Sequence, residues 1–178
     1  VEAPSQIMEH WCWDPGVLAR FARHHETGEP IPAELVDRLV AARNVDVALS
    51  TLRQVSLGKL DMGLHGVPEV PDLDAVVAEA DAVSLLPSTP GTFMPASFGH
   101  LFGYDAGYYG YLWAKVFGDD MYSVFADAGP TDPEVGTRYR RAVLEPNGTR
   151  DADDLLLDFL GRDPSNEAFL AQLGIGGE

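Results

Sequence analysis

The sequence contains a single cysteine, Cys12, among its 178 residues, so no disulfide can form within the chain. A chain without disulfides suits a reducing aqueous compartment, and we expect a cytoplasmic protein. No apolar run approaches the roughly 20 residues that a membrane-spanning helix requires, which predicts no membrane partner. The first residues, Val1 to Pro4, are neither basic nor followed by an apolar segment, so no secretory signal is predicted.

Positive charge is scarce. Lys and Arg together number 12 against 28 Asp and Glu, which gives a formal net charge of −16. A field of this sign repels polyanions and leaves few cations to neutralise phosphates, so the composition argues against binding to nucleic acid or acidic lipid. The hydrophobic fraction of 46% at this length is enough for one ordinary domain with a core, and it argues against disorder.

The sequence shows neither an internal repeat nor a pair of alternating strands joined by a hairpin turn, whereas apolar residues recur at helical spacing. We therefore predict an all-α fold in which residues 1–178 form a single helical unit. The predicted helices span about residues 5–13, 17–25, 32–64, 72–80, 104–125, 133–143, 152–160 and 166–173. The third of these is either one long helix or two helices joined near Arg43 and Asn44.

The most irregular segment runs from Ser84 to Gly103 and contains three prolines and three glycines. A loop of this length inside a compact domain is uncommon unless it is functional or disordered. Its leucines, phenylalanines and methionine make disorder the weaker choice. We predict a long functional loop rich in Gly and Pro.

Three tyrosines follow this loop. Tyr104, Tyr108 and Tyr111 are spaced i, i+4 and i+7, which places their rings on one stripe if the segment is helical. Such a stripe is commonly part of a core. The alternative is functional, because His100 lies just upstream and phenolic hydroxyls can donate hydrogen bonds to a developing oxyanion.

Familiar catalytic motifs are absent from the sequence, which has no H-E-x-x-H, C-x-x-C, Walker or G-x-S-x-G pattern. His10 and Asp14, with Cys12 and Glu9 nearby, could suggest a metal site. Asp14 is better explained as a helix cap before Pro15, so this group is not a favoured ligand set. The chain holds no complete catalytic apparatus of its own.

Four stretches of the chain are similar, in the same order, to signatures of one enzyme family. They are residues 1–6 with Glu9 and Trp11, residues 52–54, most of residues 89–113, and residues 159–164. They resemble the C-terminal part of the catalytic domain in the thimet oligopeptidase family of zinc metallopeptidases. The similarity covers essentially the whole chain.

The resemblance implies roles for individual residues. In that family, zinc is held by two histidines of an H-E-x-x-H helix and by a glutamate in a V-E-x-P-S-Q context, which Glu2 matches. His₂Glu is an attested ligand set for catalytic zinc. The resemblance further implies that Tyr104 and Tyr111 donate hydrogen bonds to the oxyanion. His100, Gly99 and Tyr108 are implied to contact the substrate.

The chain also departs from the family pattern. Only Gly103 stands between Phe102 and Tyr104, where other members have a Gly-Gly pair, so the loop is expected to be one residue shorter. Both zinc-binding histidines and the general-base glutamate are expected upstream of Val1. The resemblance therefore implies a C-terminal portion of an oligopeptidase for short peptides that needs its upstream part as partner and is inactive alone.

An alternative function remains open at this point. A truncated, non-enzymatic helical module could bind peptides or a partner protein through the face where the upstream part would dock. Some apolar surface would then be exposed, and self-association could cover it.

Overall fold

The computed structural model of the chain describes residues 2–86 and 88–175, so Val1 and Pro87, which belong to patterns discussed above, lie outside the described residues. The described residues are mostly helical and form no β-strand, and an isolated bridge joins Arg23 to Pro30. The prediction of an all-α fold is confirmed.

The α-helices of the described residues are numbered α1 to α9 in chain order. They are Ala3–Gln6, Pro15–Phe21, Ala33–Ala42, Val47–His65, Leu73–Asp81, Gly110–Ala128, Pro133–Tyr139, Ala152–Leu160 and Glu167–Gln172. Three 3-10 helices span Ile7–Trp13, Met94–Ser97 and Gly99–Phe102, and a π turn at Arg140–Leu144 continues α7. None of the helices in this part of the chain is both long and apolar enough to cross a membrane.

Three local predictions can be compared directly with the structure. The stretch 32–64 forms two helices, α3 and α4, and the break contains Asp46 in a left-handed conformation at φ 59°. Asp14 caps α2 as predicted, because its Oδ1 accepts the backbone N–H of Val17 at 2.8 Å. The described part of the predicted loop at 84–103 contains two short 3-10 helices.

The described residues group into two compact units, one from within 1–45 and 114–178 and the other from within 46–113. The first unit has a buried core to which α6, α7 and α8 contribute. Its members are Ile7, Met121, Phe125, Val135, Tyr139, Val143, Leu156 and Phe159. Gly118 of α6 lets the N-terminal backbone approach closely, since a Cβ at that position would lie 3.3 Å from the backbone nitrogen of Ile7.

Asp119 of α6 is buried and paired. Its Oδ1 lies 2.8 Å from Nε2 of His10 and 2.9 Å from Nζ of Lys115. The His10 ring also stacks on Tyr122, with centroids 4.0 Å apart and planes 8° from parallel. His10, which the sequence offered as a weak metal candidate, therefore fastens the N-terminal 3-10 helix to α6.

Asp120, the next residue of α6, is also buried, and it fixes the segment after α8. Its carboxylate accepts two hydrogen bonds from the guanidinium of Arg162, at 3.0 and 2.5 Å, and a third from the backbone N–H of Ser165 at 2.8 Å. The hydrogen bond to Asp120 raises the pKa of Arg162. Arg162, which belongs to the stretch 159–164 that carries part of the family resemblance, therefore stabilises the fold.

The second unit is built on α4 and α5. These helices approach closely where Gly63 of α4 meets Val76 of α5, because a Cβ on Gly63 would lie 2.7 Å from Cγ1 of Val76. Leu60 and Ala80 are almost fully buried in this unit. The polar residues Ser56 and Asp61 are equally buried on α4, and a buried carboxylate requires specific partners.

Tyr139 generates a prediction about alkaline stability. Its ring is buried in the first unit, its hydroxyl has no hydrogen-bond partner among the described residues, and burial raises its pKa to about 12. The folded state binds the phenolic proton more tightly than the unfolded state does. The contribution of this proton to the free energy of unfolding is therefore complete below pH 10 and is lost as the pH rises toward 12.

We expect Tyr139→Phe to equal or exceed the wild type in stability at pH 8, because it removes an unpaired buried hydroxyl. Between pH 10 and 12 the wild type should lose up to about 2–3 kcal/mol relative to the variant. Urea unfolding across this pH range measures the difference, with Tyr109→Phe, which removes an exposed hydroxyl, as the control. Parallel stability curves for wild type and Tyr139→Phe would contradict the assignment.

Candidate active site

The candidate site contains a turn at residues 103–109, which we call the tyrosine turn. The sequence predicted that a helix begins at Tyr104, but α6 begins at Gly110, so that prediction is wrong. Gly103 and Ala106 have positive φ angles of 142° and 54°, which a right-handed helix does not allow. The backbone N–H groups of Ala106 and Tyr108 donate to a side chain, the carboxylate of Asp61.

The tyrosine rings nevertheless converge. Tyr111 lies in the first turn of α6, and its ring centroid is 5.6 Å from that of Tyr104 and 5.2 Å from that of Tyr108. His100 completes what we call the tyrosine cluster, with ring centroids 5.8 Å from Tyr111 and 6.1 Å from Tyr104. The hydroxyl of Tyr111 lies 3.4 Å from Nε2 of His100. The structure thus brings together four of the predicted site residues, although not by the predicted helical spacing.

The members of the cluster differ in exposure. Tyr108 is 9% exposed, its hydroxyl donates to Oε1 of Gln54 at 2.9 Å, and burial raises its pKa. Tyr104 is 39% exposed, His100 is exposed and Tyr111 is partly exposed. Tyr108 is therefore a core residue, as the alternative interpretation of the tyrosine stripe held. The other three side chains can reach a molecule in solvent.

The loop residues next to the cluster are arranged by a 3-10 helix. Gly99 and His100 are the first two residues of the helix Gly99–Phe102, and both are exposed. The ring of Phe98 packs 5.2 Å from the rings of His100 and of Tyr108. This packing holds the imidazole beside the phenols, where an N–H and O–H groups can donate to one acceptor.

Sequence reasoning assigned no site role to the residues on α4 that support the turn, although Gln54 lies in the stretch 52–54 that carries part of the family resemblance. Gln54, Gly58, Asp61 and His65 follow one another at i, i+4, i+7 and i+11, which is one face of a helix. Asp61 was the available signal, because an acid amid the buried apolar positions of a helix requires partners. The partners could not be read from the sequence, since they lie about 45 residues later.

Glu2, the predicted metal ligand, lies in the first unit at the start of α1. It is partly exposed, and the hydroxyl of Ser5 lies 2.7 Å from its Oε2. A carboxylate held in this way suits zinc, which takes carboxylate oxygens alongside histidine nitrogens. Among the described residues no group of three or more His, Cys, Asp or Glu side chains is clustered closely enough to hold a metal ion. Glu2 by itself offers the donor chemistry of a single ligand.

Comparisons with known proteins identify similar chains. The model of peptidase family M3 matches residues 1–175. Oligopeptidase A of Escherichia coli (strain K12) is 42% identical over 184 residues, which cover 99% of this chain and 27% of that protein. Saccharolysin of Saccharomyces cerevisiae is 42% identical over 182 residues, which cover 98% of this chain and 25% of that protein.

A third relative comes from a plant. The protein named probable cytosolic oligopeptidase A of Arabidopsis thaliana is 36% identical over 187 residues, which cover 98% of this chain and 26% of that protein. The chain thus spans about a quarter of the length of the relatives it matches.

The contact between Tyr108 and Gln54 predicts a stability difference between two neighbouring tyrosines. We expect Tyr108→Phe to lower the free energy of unfolding by about 1–2 kcal/mol, because it leaves a partly buried amide oxygen without its donor. Tyr109→Phe is the matched control, since Tyr109 is 51% exposed and should change stability by less than about 0.5 kcal/mol. Urea unfolding at pH 7 measures the free energy of unfolding of both variants. Equal values for the two variants would contradict a stabilising hydrogen bond from the Tyr108 hydroxyl to Gln54.

Proposed function

Because the chain belongs to peptidase family M3, we propose that it is the C-terminal part of a zinc metallopeptidase that hydrolyses short peptides. The similarity to oligopeptidase A and saccharolysin over nearly the whole chain supports this proposal. In the proposal, the chain as a whole is one helical portion of a larger catalytic domain. The observation that carries it is the convergence of His100, Tyr104 and Tyr111, all accessible to solvent, in one cluster.

We assign Glu2 the role of third zinc ligand, with the two histidines supplied by the upstream part of the same peptidase. Zinc bound there would supply Lewis-acid chemistry, polarising the scissile carbonyl and lowering the pKa of a coordinated water. Ser5 orients the carboxylate through its hydrogen bond to Oε2, as outer-sphere partners of metal ligands do.

The cluster supplies the hydrogen-bond donors. Tyr111 and Tyr104 present hydroxyls that can donate to the oxyanion formed when the peptide carbonyl is attacked. His100 and Gly99 contact the peptide from the neighbouring 3-10 helix. The hydroxyl of Tyr108 is occupied by Gln54, so Tyr108 contributes its ring to the wall of the site and not a free donor.

The proposed location is the cytoplasm. The single cysteine suits a reducing compartment, and one relative carries the word cytosolic in its name. The expected partners are short peptides and the upstream part of the peptidase, while the strongly acidic composition argues against nucleic acid.

A second candidate function is a non-enzymatic module that binds a partner protein or a peptide. It is favoured by large apolar side chains that are exposed in both units. Val70 is 93% exposed, Val45 is 69% exposed and Phe102 is 80% exposed. Self-association of the chain would cover part of this surface.

Zinc binding and peptide cleavage distinguish these functions. We expect the isolated chain to hold no stoichiometric zinc and to cleave no peptide, and both properties to appear on mixing with the upstream part of the catalytic domain. In that mixture Glu2→Ala should weaken zinc binding more than about 100-fold, because even outer-sphere partners contribute about 10–100-fold. Glu34→Ala, which alters an exposed acid of α3, should retain zinc.

Metal analysis after dialysis and a fluorogenic peptide assay give the readouts. A Glu2→Ala mixture with stoichiometric zinc and full activity would contradict the ligand assignment. A stable complex that hydrolyses no peptide would favour the binding module instead.

The oxyanion role generates a separate prediction. In the active mixture, Tyr111→Phe should lower kcat by about 10²-fold or more with little change in KM, the usual cost of losing one oxyanion donor. Tyr109→Phe is again the control and should leave kcat within about twofold, because its ring is not part of the cluster. A wild-type kcat for Tyr111→Phe would return this tyrosine to a packing role.

A further inference from the structure

Asp61 is a buried carboxylate whose acceptor oxygens are used by the tyrosine turn. It lies on α4 and is 0% exposed. Its Oδ1 accepts the backbone N–H of Ala106 at 2.9 Å, and its Oδ2 accepts the backbone N–H of Tyr108 at 2.9 Å. Nδ1 of His65 lies 2.9 Å from the same Oδ1. Charge-assisted bonds to three groups offset the cost of burying the carboxylate.

These bonds hold the turn in a shape that its sequence does not favour by itself. Ala106 has φ 54°, and a residue with a Cβ pays roughly 1–2 kcal/mol for this left-handed conformation. A helix that began at Tyr104 would bond the N–H of Tyr108 internally but would leave the N–H of Ala106, in its first turn, without an intrahelical partner. Both N–H groups donate to Asp61 instead. The helix is thereby delayed until Gly110, and Tyr104 lies outside it.

The same face of α4 contacts the turn at two further points. Gln54 lies seven residues before Asp61, and its Oε1 accepts a hydrogen bond from the hydroxyl of Tyr108. Gly58 faces Tyr109, because a Cβ there would be in ordinary van der Waals contact, 3.6 Å from the Cα of Tyr109. The turn therefore packs along one face of α4, with the carboxylate of Asp61 at the C-terminal end of the contact.

We propose that Asp61 is a positioning residue, which sets the places of the Tyr104 and Tyr111 hydroxyls by fixing the backbone between them. The proposal rests on the proposed function for the role of those hydroxyls. Ala106 and Tyr108 both lie between the two tyrosines in the chain, so the two N–H bonds determine the path that separates them. A carboxylate is required because an asparagine offers one acceptor oxygen, and its amide group would face the second N–H donor.

The first test measures order in the turn of the isolated chain and needs no catalysis. Asp61→Asn should speed amide hydrogen exchange at Ala106 and Tyr108 by about tenfold or more, while the amides of α5 change by less than about twofold. Asp120→Asn is the matched control, because Asp120 is 2% exposed and also accepts a backbone N–H, but in the first unit. Unchanged exchange at Ala106 and Tyr108, or an equal rise throughout residues 47–113, would overturn the proposal.

A milder variant covers the case in which Asp61→Asn does not fold. His65→Ala removes the group beside Oδ1 and leaves the carboxylate in place. We expect exchange to rise severalfold at Ala106, which is bonded to Oδ1, and less at Tyr108, which is bonded to Oδ2. Equal exchange rates in His65→Ala and wild type at Ala106 would overturn the proposal even without data from Asp61→Asn.

The second test separates positioning from general stabilisation. In the active mixture, Asp61→Asn should lower kcat by about tenfold or more with KM within about threefold, whereas Asp120→Asn should keep the wild-type kcat. In a background with Tyr104→Phe and Tyr111→Phe, the loss from Asp61→Asn should shrink to about twofold or less, because the groups it positions are gone. If Asp61→Asn lowers kcat by the same factor in the double-tyrosine background as in the wild type, the positioning role is overturned.

The two tests also separate this proposal from the proposed function. If the mixture hydrolyses no peptide, the peptidase role of the chain fails, and the exchange measurements alone decide whether Asp61 orders the turn. If the mixture is active and Asp61→Asn retains full kcat, the peptidase role stands and the positioning role is overturned.

Discussion

The candidate site depends on two hydrogen bonds that one buried carboxylate accepts from backbone N–H groups. Without Asp61, the N–H groups of Ala106 and Tyr108 would lack their partners, and the left-handed conformation of Ala106 would lack compensation. With it, the turn leaves a helical path and brings Tyr104 beside Tyr111 and His100. A charge that is fully buried and multiply bonded is costly to displace, so the turn has one strongly preferred shape.

Buried carboxylates also pair with neighbouring segments at two other places in the described chain, both on α6. Asp119 fastens the N-terminal 3-10 helix to α6 through His10, and Asp120 fastens the segment after α8 through Arg162. In each case a buried carboxylate on a regular helix bonds a polar group of a segment outside that helix, the side chain of His10 for Asp119, and the Arg162 side chain and Ser165 backbone N–H for Asp120. A strongly acidic chain therefore uses a few of its acids internally, and the irregular segments that they hold include those nearest the proposed ligand and donor residues.

The fold was largely predictable because helical periodicity is a local property. The predicted α8 matches the structure at both ends, and α3 and α4 divide near the residues at which a division was considered. The start of α6 was predicted six residues too early. Gly107 and Gly110 lower the helix propensity of this stretch, but the competing hydrogen-bond acceptor belongs to a helix about 45 residues away.

The residue types and spacings of the sequence by themselves determined the helical class, the family resemblance, and the choice of Glu2, His100 and the tyrosines as candidates. Only the tertiary structure decided which of those phenols is buried and which faces solvent. It also showed that Gln54 and Asp61 complete the surroundings of the cluster. The physical reason is that periodicity reports how a segment divides between core and solvent, whereas hydrogen-bond partners across the chain exist only after the segments have packed.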